Sequence, residues 1–547
     1  MKNYRPFSAL AAGVCCVFLF YTSSGQNMPL SSGGRLGAVQ ANMDIRHYTL
    51  NLDVNIARKS IDGFTEIRLN LLQPSDSLLF QLVQAYRVKD VQVDQKNTVF
   101  QHSADSLRIT TGAPLGAGSH IVKISYSGAP PVAVRPPWRG GFTWTTDSTG
   151  NPWVAINCQM EGGKIYFPCK DHPSDEPDEG AEMFITVPEG LVVAGPGLLQ
   201  SVKKQGKGAV WHWKTGYTIS NYCLVFNIGK YAVEKETYTT VHGNRVPVEF
   251  YVLEEHRHKG REIVEMRARD AHILEKYFGE YPWVKEKMGI VEVPNYGMEH
   301  QTMISYGGEN FRYHHYPGFS FSDNLFHEFT HEWFANKVTN KDWAHFWIQE
   351  GITTYADALF FREMLGEKGY DSIMVAKKAD IEGQVPVVQG EALSTLQAYN
   401  GDVYNKGAFL MHTLRHLMGD SLFFPALKAL SENVKYPYTT FLVSDDVEKH
   451  FSSYAGKSLK PVFDFYLYTK ETLDIHIRKL SPDTYAVYAE NFPQPLAIDI
   501  RTSAGIQTQV MDNLDPANLR KNIWTIKSTT LPEADPGNWY FKRVIYE

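Results

Sequence analysis

The sequence predicts an α+β multidomain protein: an N-terminal β-sandwich or saddle, a mostly helical middle, and a small C-terminal β-sandwich. Two observations predict it. At 547 residues the chain is too long for one ordinary domain. Its hydrophobic periodicity changes from two to helical spacing and back again. The expected divisions are 40–235, 236–470 and 471–547, with residues 1–25 set apart as an export signal.

The leading segment has the three parts such a signal needs. Lys2 and Arg5 supply positive charge, Phe7 to Tyr21 form an apolar run of 15 residues, and Ser23 and Gly25 offer small side chains for cleavage. The run is short of the ~20 residues that span a bilayer, so stable membrane insertion after cleavage is not expected. Cys15 and Cys16 lie inside the run, and Val14 rather than a small residue precedes the first, which argues against lipidation. Cleavage removes two positive charges and no acids, taking the net charge from −6 to −8. No Asn-x-Ser/Thr sequon occurs, which favours a bacterial source and a periplasmic or extracellular address.

Composition narrows the class further. With 43% hydrophobic and 21% charged residues the chain is globular, and without a basic excess it has no nucleic-acid footprint. Cys158, Cys169 and Cys223 remain after cleavage. One Cys158–Cys169 bridge is possible, but three thiols make no disulfide framework, so packed cores must carry stability. Nothing in the sequence fixes an oligomeric state.

Each element follows from its pattern. His47 to Val54 and Phe64 to Leu71 alternate with period two, and Gly128 to Gly141 reads as an irregular loop. Met266, Ile273, Leu274 and Tyr277 recur at helical spacing from about residue 259, and helices dominate to about 470. Alternation returns at Tyr485 to Tyr488 and Ala497 to Arg501.

The chemistry concentrates in His327-Glu-Phe-Thr-His331. Residues four apart share a helix face, so both imidazoles can reach one ion, with Glu328 beside it to take a proton from water. Ser322 can cap that helix, and Leu325, Phe329 and Trp333 stripe its other side. Two surface histidines on a helix would read the same way. What separates the readings is a third ligand: Glu350 follows His331 after 18 intervening residues and opens a helical run to Leu365, long enough to fold back. Three protein ligands and one open position make a catalytic zinc site, one Zn2+ per chain.

HEFTH, the 18-residue gap and Trp347-Ile-Gln-Glu-Gly-Ile-Thr-Thr-Tyr-Ala-Asp-Ala-Leu359 resemble the gluzincin aminopeptidases, which include aminopeptidase N and leukotriene hydrolase. Trp333 to Thr339 extends the likeness, with Ala335 where that family usually has Gly and Gln349 in place of a usual Asn. The resemblance covers about residues 44 to 470 and implies a thermolysin-like catalytic domain acting on peptides with a free N-terminus. Tyr296-Gly-Met-Glu-His300 is similar to the family's Gly-x-Met-Glu-Asn signature. That makes Glu299 the anchor for the substrate's α-amine and puts Gly297 and Met298 along the substrate; Tyr296 and His300 are departures. Counting back from Pro168-Cys169 places Gln159 as a second partner of the amine, with Glu161 the rival if the register slips by two. Tyr404-Asn-Lys-Gly407 resembles the segment that supplies an oxyanion donor, so Tyr404 takes that role and Tyr399 is a secondary candidate.

Mechanistically, the resemblance implies water activated at zinc, Glu328 as general base and Tyr404 as oxyanion stabiliser. The alternatives are an epoxide-hydrolase-like activity on the same metal and a non-catalytic peptide-binding scaffold. The adjacent His314 and His315 point apart and are read as structural; His412 and His416 are expected to line a helix in the core. Family members commonly end in a helical domain that roofs the site. Here about 75 residues follow the catalytic segment and read as β, so a more open cleft is expected.

Overall fold

The computed structural model describes residues 29–307, 311, 313–491, 496–511 and 523–547. The expected export signal at 1–25 lies outside the described residues. The first unit is built on an eight-stranded sheet whose central pair, Met43–Asn55 and Ser60–Leu71, is the alternating segment read from sequence. Along Met43–Asn55, Tyr48, Leu50, Leu52 and Val54 are buried while the intervening residues are partly or largely exposed, so one face meets the core. Ala181–Pro188 returns parallel to this strand, with Tyr48 opposite Ala181. A four-stranded sheet beside it contains Pro152–Asn157, the strand that leads into Gln159.

The expected boundary at 235/236 falls inside a strand. Tyr231–Thr239 pairs along its whole length with Arg245–Leu253, at the edge of the sheet that continues through Met288–Val293 and Ile304–Gly307. Alternation continues across position 235, so sequence periodicity had no break to mark there. The last strand of that sheet runs antiparallel to Met298 through Met298 N–H to Ser305 O (3.2 Å) and Ser305 N–H to Met298 O (3.0 Å). This puts the Tyr296–Glu299 segment at a sheet edge.

Helices then dominate as read: Gly260–Phe278, Asp323–Thr330, Trp347–Leu365, Glu367–Ala379, Asn405–Met418 and others to Tyr468. From Leu473 the chain is β again, in a four-stranded and a three-stranded sheet. Among the described residues no helix is long and apolar enough to cross a membrane. Cys158, Cys169 and Cys223 are all buried and unpaired, so the possible Cys158–Cys169 bridge does not form.

His412 and His416 line the helix Asn405–Met418 as read, with His412 buried and its Nδ1 2.7 Å from Tyr370 OH. They stack on Trp539 of the C-terminal unit at 4.6 and 4.9 Å between ring centroids, and His412 Nε2 lies 3.1 Å from Asn538 O. Thr413 Oγ1 donates to Trp539 O at 2.7 Å. A seam between units uses the same i, i+4 spacing as a core face, which is why sequence could not separate the two. His314 and His315 lie exposed on a short hairpin strand.

The helices Trp347–Leu365 and Asn405–Met418 touch backbone to backbone. A Cβ on Gly351 would lie 2.8 Å from Gly407 Cα and 3.0 Å from Val403 O, with no flexible side chain to give way. The contact fixes Glu350, one residue before Gly351, against Tyr404, three residues before Gly407. Gly351→Ala should therefore overpack the crossing and destabilise the fold by about 1–3 kcal/mol, read as a lower midpoint in thermal unfolding; an unchanged midpoint would show the contact to be loose.

Candidate metal centre

The helix Asp323–Thr330 starts where the sequence says it should. Ser322 Oγ accepts from Leu325 N, and Asp323 in the first turn complements the positive helix end. Leu325, Phe329 and Trp333 are buried, which turns the opposite face of the motif toward the cleft. His331 closes the helix, and the long helix Trp347–Leu365 brings Glu350 back beside it.

Three atoms converge there: His331 Nε2 lies 3.1 Å from His327 Nε2, and each stands 3.3 Å from Glu350 Oε2. Bonds of ~2.0–2.1 Å to a tetrahedral ion require ligand–ligand edges of about 3.3 Å. The triangle is one face of such a tetrahedron. His331 Nδ1 is 2.8 Å from Phe334 O, so that nitrogen carries the proton and donates, leaving the Nε2 lone pair for an ion. The donor set therefore fits a divalent zinc-type cation.

Two further carboxylates crowd the same space. The nearest polar atoms of Glu299, Glu328 and His331 lie within 4.8 Å of one another. Burial first, then the charges of Glu299 and Glu350, push the Glu328 carboxyl well above the usual range. Burial opposes ionisation of Glu350 too, but His331 and His327 bring it below the usual range.

Glu299 is 2% exposed and accepts from Tyr222 OH at 2.9 Å and from the Gln159 amide. The fold thus joins two residues 140 positions apart, and it is Gln159 rather than Glu161 that meets Glu299. Glu161 instead accepts from Gly140 N at 2.8 Å. Gly297 leaves no room for a side chain: a Cβ there would lie 2.8 Å from Glu328 Cγ. Met298, 5% exposed, is paired to Ser305 at its side. Tyr404 stacks near His327 at 6.1 Å between centroids and Tyr399 near Tyr404 at the same separation. Burial, then the Glu350 charge, pushes the Tyr404 hydroxyl well above its ordinary value, so it stays protonated and able to donate.

Of the two departures in the signature, His300 is fully buried, bonds Ser305 Oγ through Nδ1 at 2.9 Å, and is kept neutral by burial. Tyr296 is 41% exposed and faces Trp138.

Sequence reading missed Asn324. Its Nδ2 donates to Glu328 Oε1 at 2.9 Å while its Oδ1 accepts from Gly297 N at 3.1 Å, tying Glu328 to the Tyr296–Glu299 segment. The available signal was its i, i+4 relation to Glu328 on the motif helix. Glu332 was missed as well: buried, it accepts from Trp283 Nε1 (2.8 Å), Thr302 N (2.9 Å) and Asn336 Nδ2 (3.0 Å), locking the turn after the motif.

Two imidazoles from one helical turn, closed by a glutamate from the next helix, define the class of HExxH metal sites with a distant glutamate ligand. Residues 264–466 match the Peptidase family M1 domain. Across 468 residues the chain is 24% identical to leucine aminopeptidase 2 of Vanderwaltozyma polyspora, covering 79% of this chain and 64% of that protein. It is 25% identical to aminopeptidase B of Mus musculus over 363 residues, 62% of this chain and 51% of that one. The chain thus spans less than two thirds of the length of these relatives. An M1 zinc metallopeptidase variant from Deinococcus radiodurans, solved with a Tyr-Ser-Ala substrate, superposes with a TM-score of 0.64 at 20% identity, over 79% of this chain and 95% of that one. A two-domain M1 zinc metallopeptidase variant solved with L-tryptophan gives 0.65 at 20% identity, over 81% and 97%. Residues 264–466 thus carry a Peptidase family M1 domain, and these likenesses support the gluzincin, aminopeptidase N-like peptidase family.

Ala335, standing where that family usually has Gly, has φ of 146° and is buried. Such a backbone costs an L-residue ~1–3 kcal/mol, against ~0.5–1 for the extra freedom of glycine in the unfolded chain. Ala335→Gly should raise the thermal midpoint by a few degrees; a fall would mean the surroundings need the methyl group.

Proposed function

We propose that this protein is an exported zinc aminopeptidase that removes the N-terminal residue of peptides, with one Zn2+ held by His327, His331 and Glu350. One observation carries the reading: the buried Glu299 carboxylate stands within 4.8 Å of the nearest polar atoms of Glu328 and His331. A substrate ammonium on Glu299 leaves room for one residue before the reacting carbonyl, and that is how an exopeptidase measures its substrate.

Zinc in this site supplies a Lewis acid that acidifies water and polarises the scissile carbonyl. Glu328, held by Asn324, takes the proton from the attacking water and passes it to the leaving amine. Its raised affinity for a proton suits that shuttle. Tyr404 donates its hydroxyl to the oxyanion as the carbonyl becomes tetrahedral. Glu299 and the Gln159 carbonyl oxygen receive the ammonium, with the Gln159 amide and Tyr222 fixing Glu299 from behind. Export is supported by Lys2, Arg5 and the apolar run from Phe7 to Tyr21, and burial of all three thiols shields them in an oxidising compartment.

Hydrolysis of aminoacyl-coumarins with free and N-acetylated amines tests the reading. Free-amine substrates should be cleaved, blocked ones should not, and Glu328→Gln should abolish turnover while zinc content stays at one per chain. Equal cleavage of blocked substrates would end the exopeptidase claim, and tight peptide binding without turnover would favour a scaffold. Asn324→Ala should lower kcat roughly 10–100-fold, as loss of a supporting hydrogen bond to a metal-site residue does; wild-type kcat in that variant would remove Asn324 from the mechanism.

A further inference from the structure

We propose that Arg135, held over Trp138 at the rim of the cleft, binds the C-terminal carboxylate of the peptide being cleaved, making di- and tripeptides with both termini free the preferred substrates. The inference rests on Glu299 being the amine anchor and extends that reading to the other end of the substrate.

The segment Tyr296–Glu299 gives the cleft a direction. Glu299 marks the amine end. Two residues back, Gly297 abuts Glu328, where the bond is cut. One residue further along this segment from Glu299, past Gly297, Tyr296 is 41% exposed. That is the direction in which the leaving peptide must lie. Three residues of chain reach at most about 11 Å, so a substrate running from Glu299 to the ring of Tyr296 has room for about three residues.

At that point the β unit contributes a built corner. The loop after Gly128 makes a tight turn in which Arg135 N donates to Arg139 O (3.1 Å) and Arg139 N to Arg135 O (2.8 Å), with Pro136, Pro137 and Trp138 between them. Prolines fix φ and limit how the turn can move. Trp138 meets Tyr296 at 5.6 Å between ring centroids, and the Arg135 guanidinium carbon lies 5.0 Å from the Trp138 ring. A guanidinium lying on an aromatic face keeps its N–H edge free to grip a carboxylate with two parallel bonds. Among the described residues Arg135 has no carboxylate partner. Arg139, across the turn, is near enough to the buried Glu161 for its charge to favour that carboxylate, whereas Arg135 is held on the ring that meets Tyr296. The unpaired cation at the leaving-group end is therefore Arg135.

The test compares kcat/KM for a trialanine acid with that for its C-terminal amide, as a ratio within each protein so that the amount of folded enzyme cancels. Wild type should favour the acid roughly ten-fold in low salt, the worth of a charge-assisted contact at an exposed site, and the ratio should shrink towards one in 1 M NaCl. Arg135→Gln should bring the ratio to about one in low salt, and Arg139→Gln should keep it. Equal cleavage of acid and amide by wild type, or a ratio that survives Arg135→Gln, overturns the proposal while free-amine aminoacyl-coumarin turnover leaves the aminopeptidase reading standing. Absence of that turnover in wild type overturns both.

Discussion

Three carboxylates in one dry pocket are the constraint on which the rest of the site depends. Glu299, Glu328 and Glu350 are each at least nine-tenths buried, and unpaired buried charge is expensive. A divalent ion and a substrate ammonium supply three positive charges to meet three negative ones. On the proposed reading each cation has its own carboxylate: the ion takes Glu350 with the two imidazoles, and the ammonium takes Glu299. Glu328 stands between them, and its burial, with the charges of Glu299 and Glu350 beside it, raises its affinity for a proton. On that reading the crowding that would destabilise an empty pocket gives Glu328 its strength as a base and Glu299 its selectivity for an amine. A neutral, acetylated N-terminus would leave Glu299 buried without its cation.

The pocket is held open by contacts the chain makes elsewhere. Glu332 closes the turn after the motif helix, and Gly351 against Gly407 sets the spacing of the helix bearing Glu350 from the one that follows Tyr404. That second helix is gripped at its far side by the C-terminal unit, through His412, Thr413 and His416 on the Asn538–Trp539 turn. Lys406, beside Gly407, is buried and donates to Thr469 O at 2.7 Å. The C-terminal β unit thus steadies the helix that follows Tyr404, and it also reaches Lys378 through Asn538 Oδ1 at 2.8 Å and Tyr466 OH through Phe541 N at 3.0 Å.

What could be read from sequence depended on how locally each feature is encoded. His327, His331 and Glu350 lie within 24 residues, and helix geometry alone relates the first two, so the ion site was legible. The three-unit order was legible because periodicity changes at its boundaries; where it does not, at Tyr231–Thr239, the division could not be placed. Gln159 against Glu299 and Trp138 against Tyr296 are contacts across units that no spacing encodes. The first was reached only through a family likeness, and the second was not reached. Asn324 was overlooked because an asparagine in the first turn of a helix has an ordinary reading as a polar surface residue.

Those cross-unit contacts carry a consequence for how substrate length is measured. On the proposed reading the amine end is set by Glu299 of the catalytic unit, yet its partner Gln159 belongs to the β unit, and so do Trp138 and Arg135 on the leaving-group side. On the proposed reading both ends of the ruler rest on the seam between two units. A ruler fixed to a seam can change its length only if the units move, whereas a roof changes it by opening. Ser32 works against such movement: its backbone N–H lies 2.9 Å from Met160 O of the β unit and 3.1 Å from Thr395 Oγ1 of the helical one, and its Oγ donates to Asp171. The stretch at the start of the described chain is therefore a strap across the seam. By holding the units together it holds the distance between the amine anchor and the rim, and with it the size of peptide that fits.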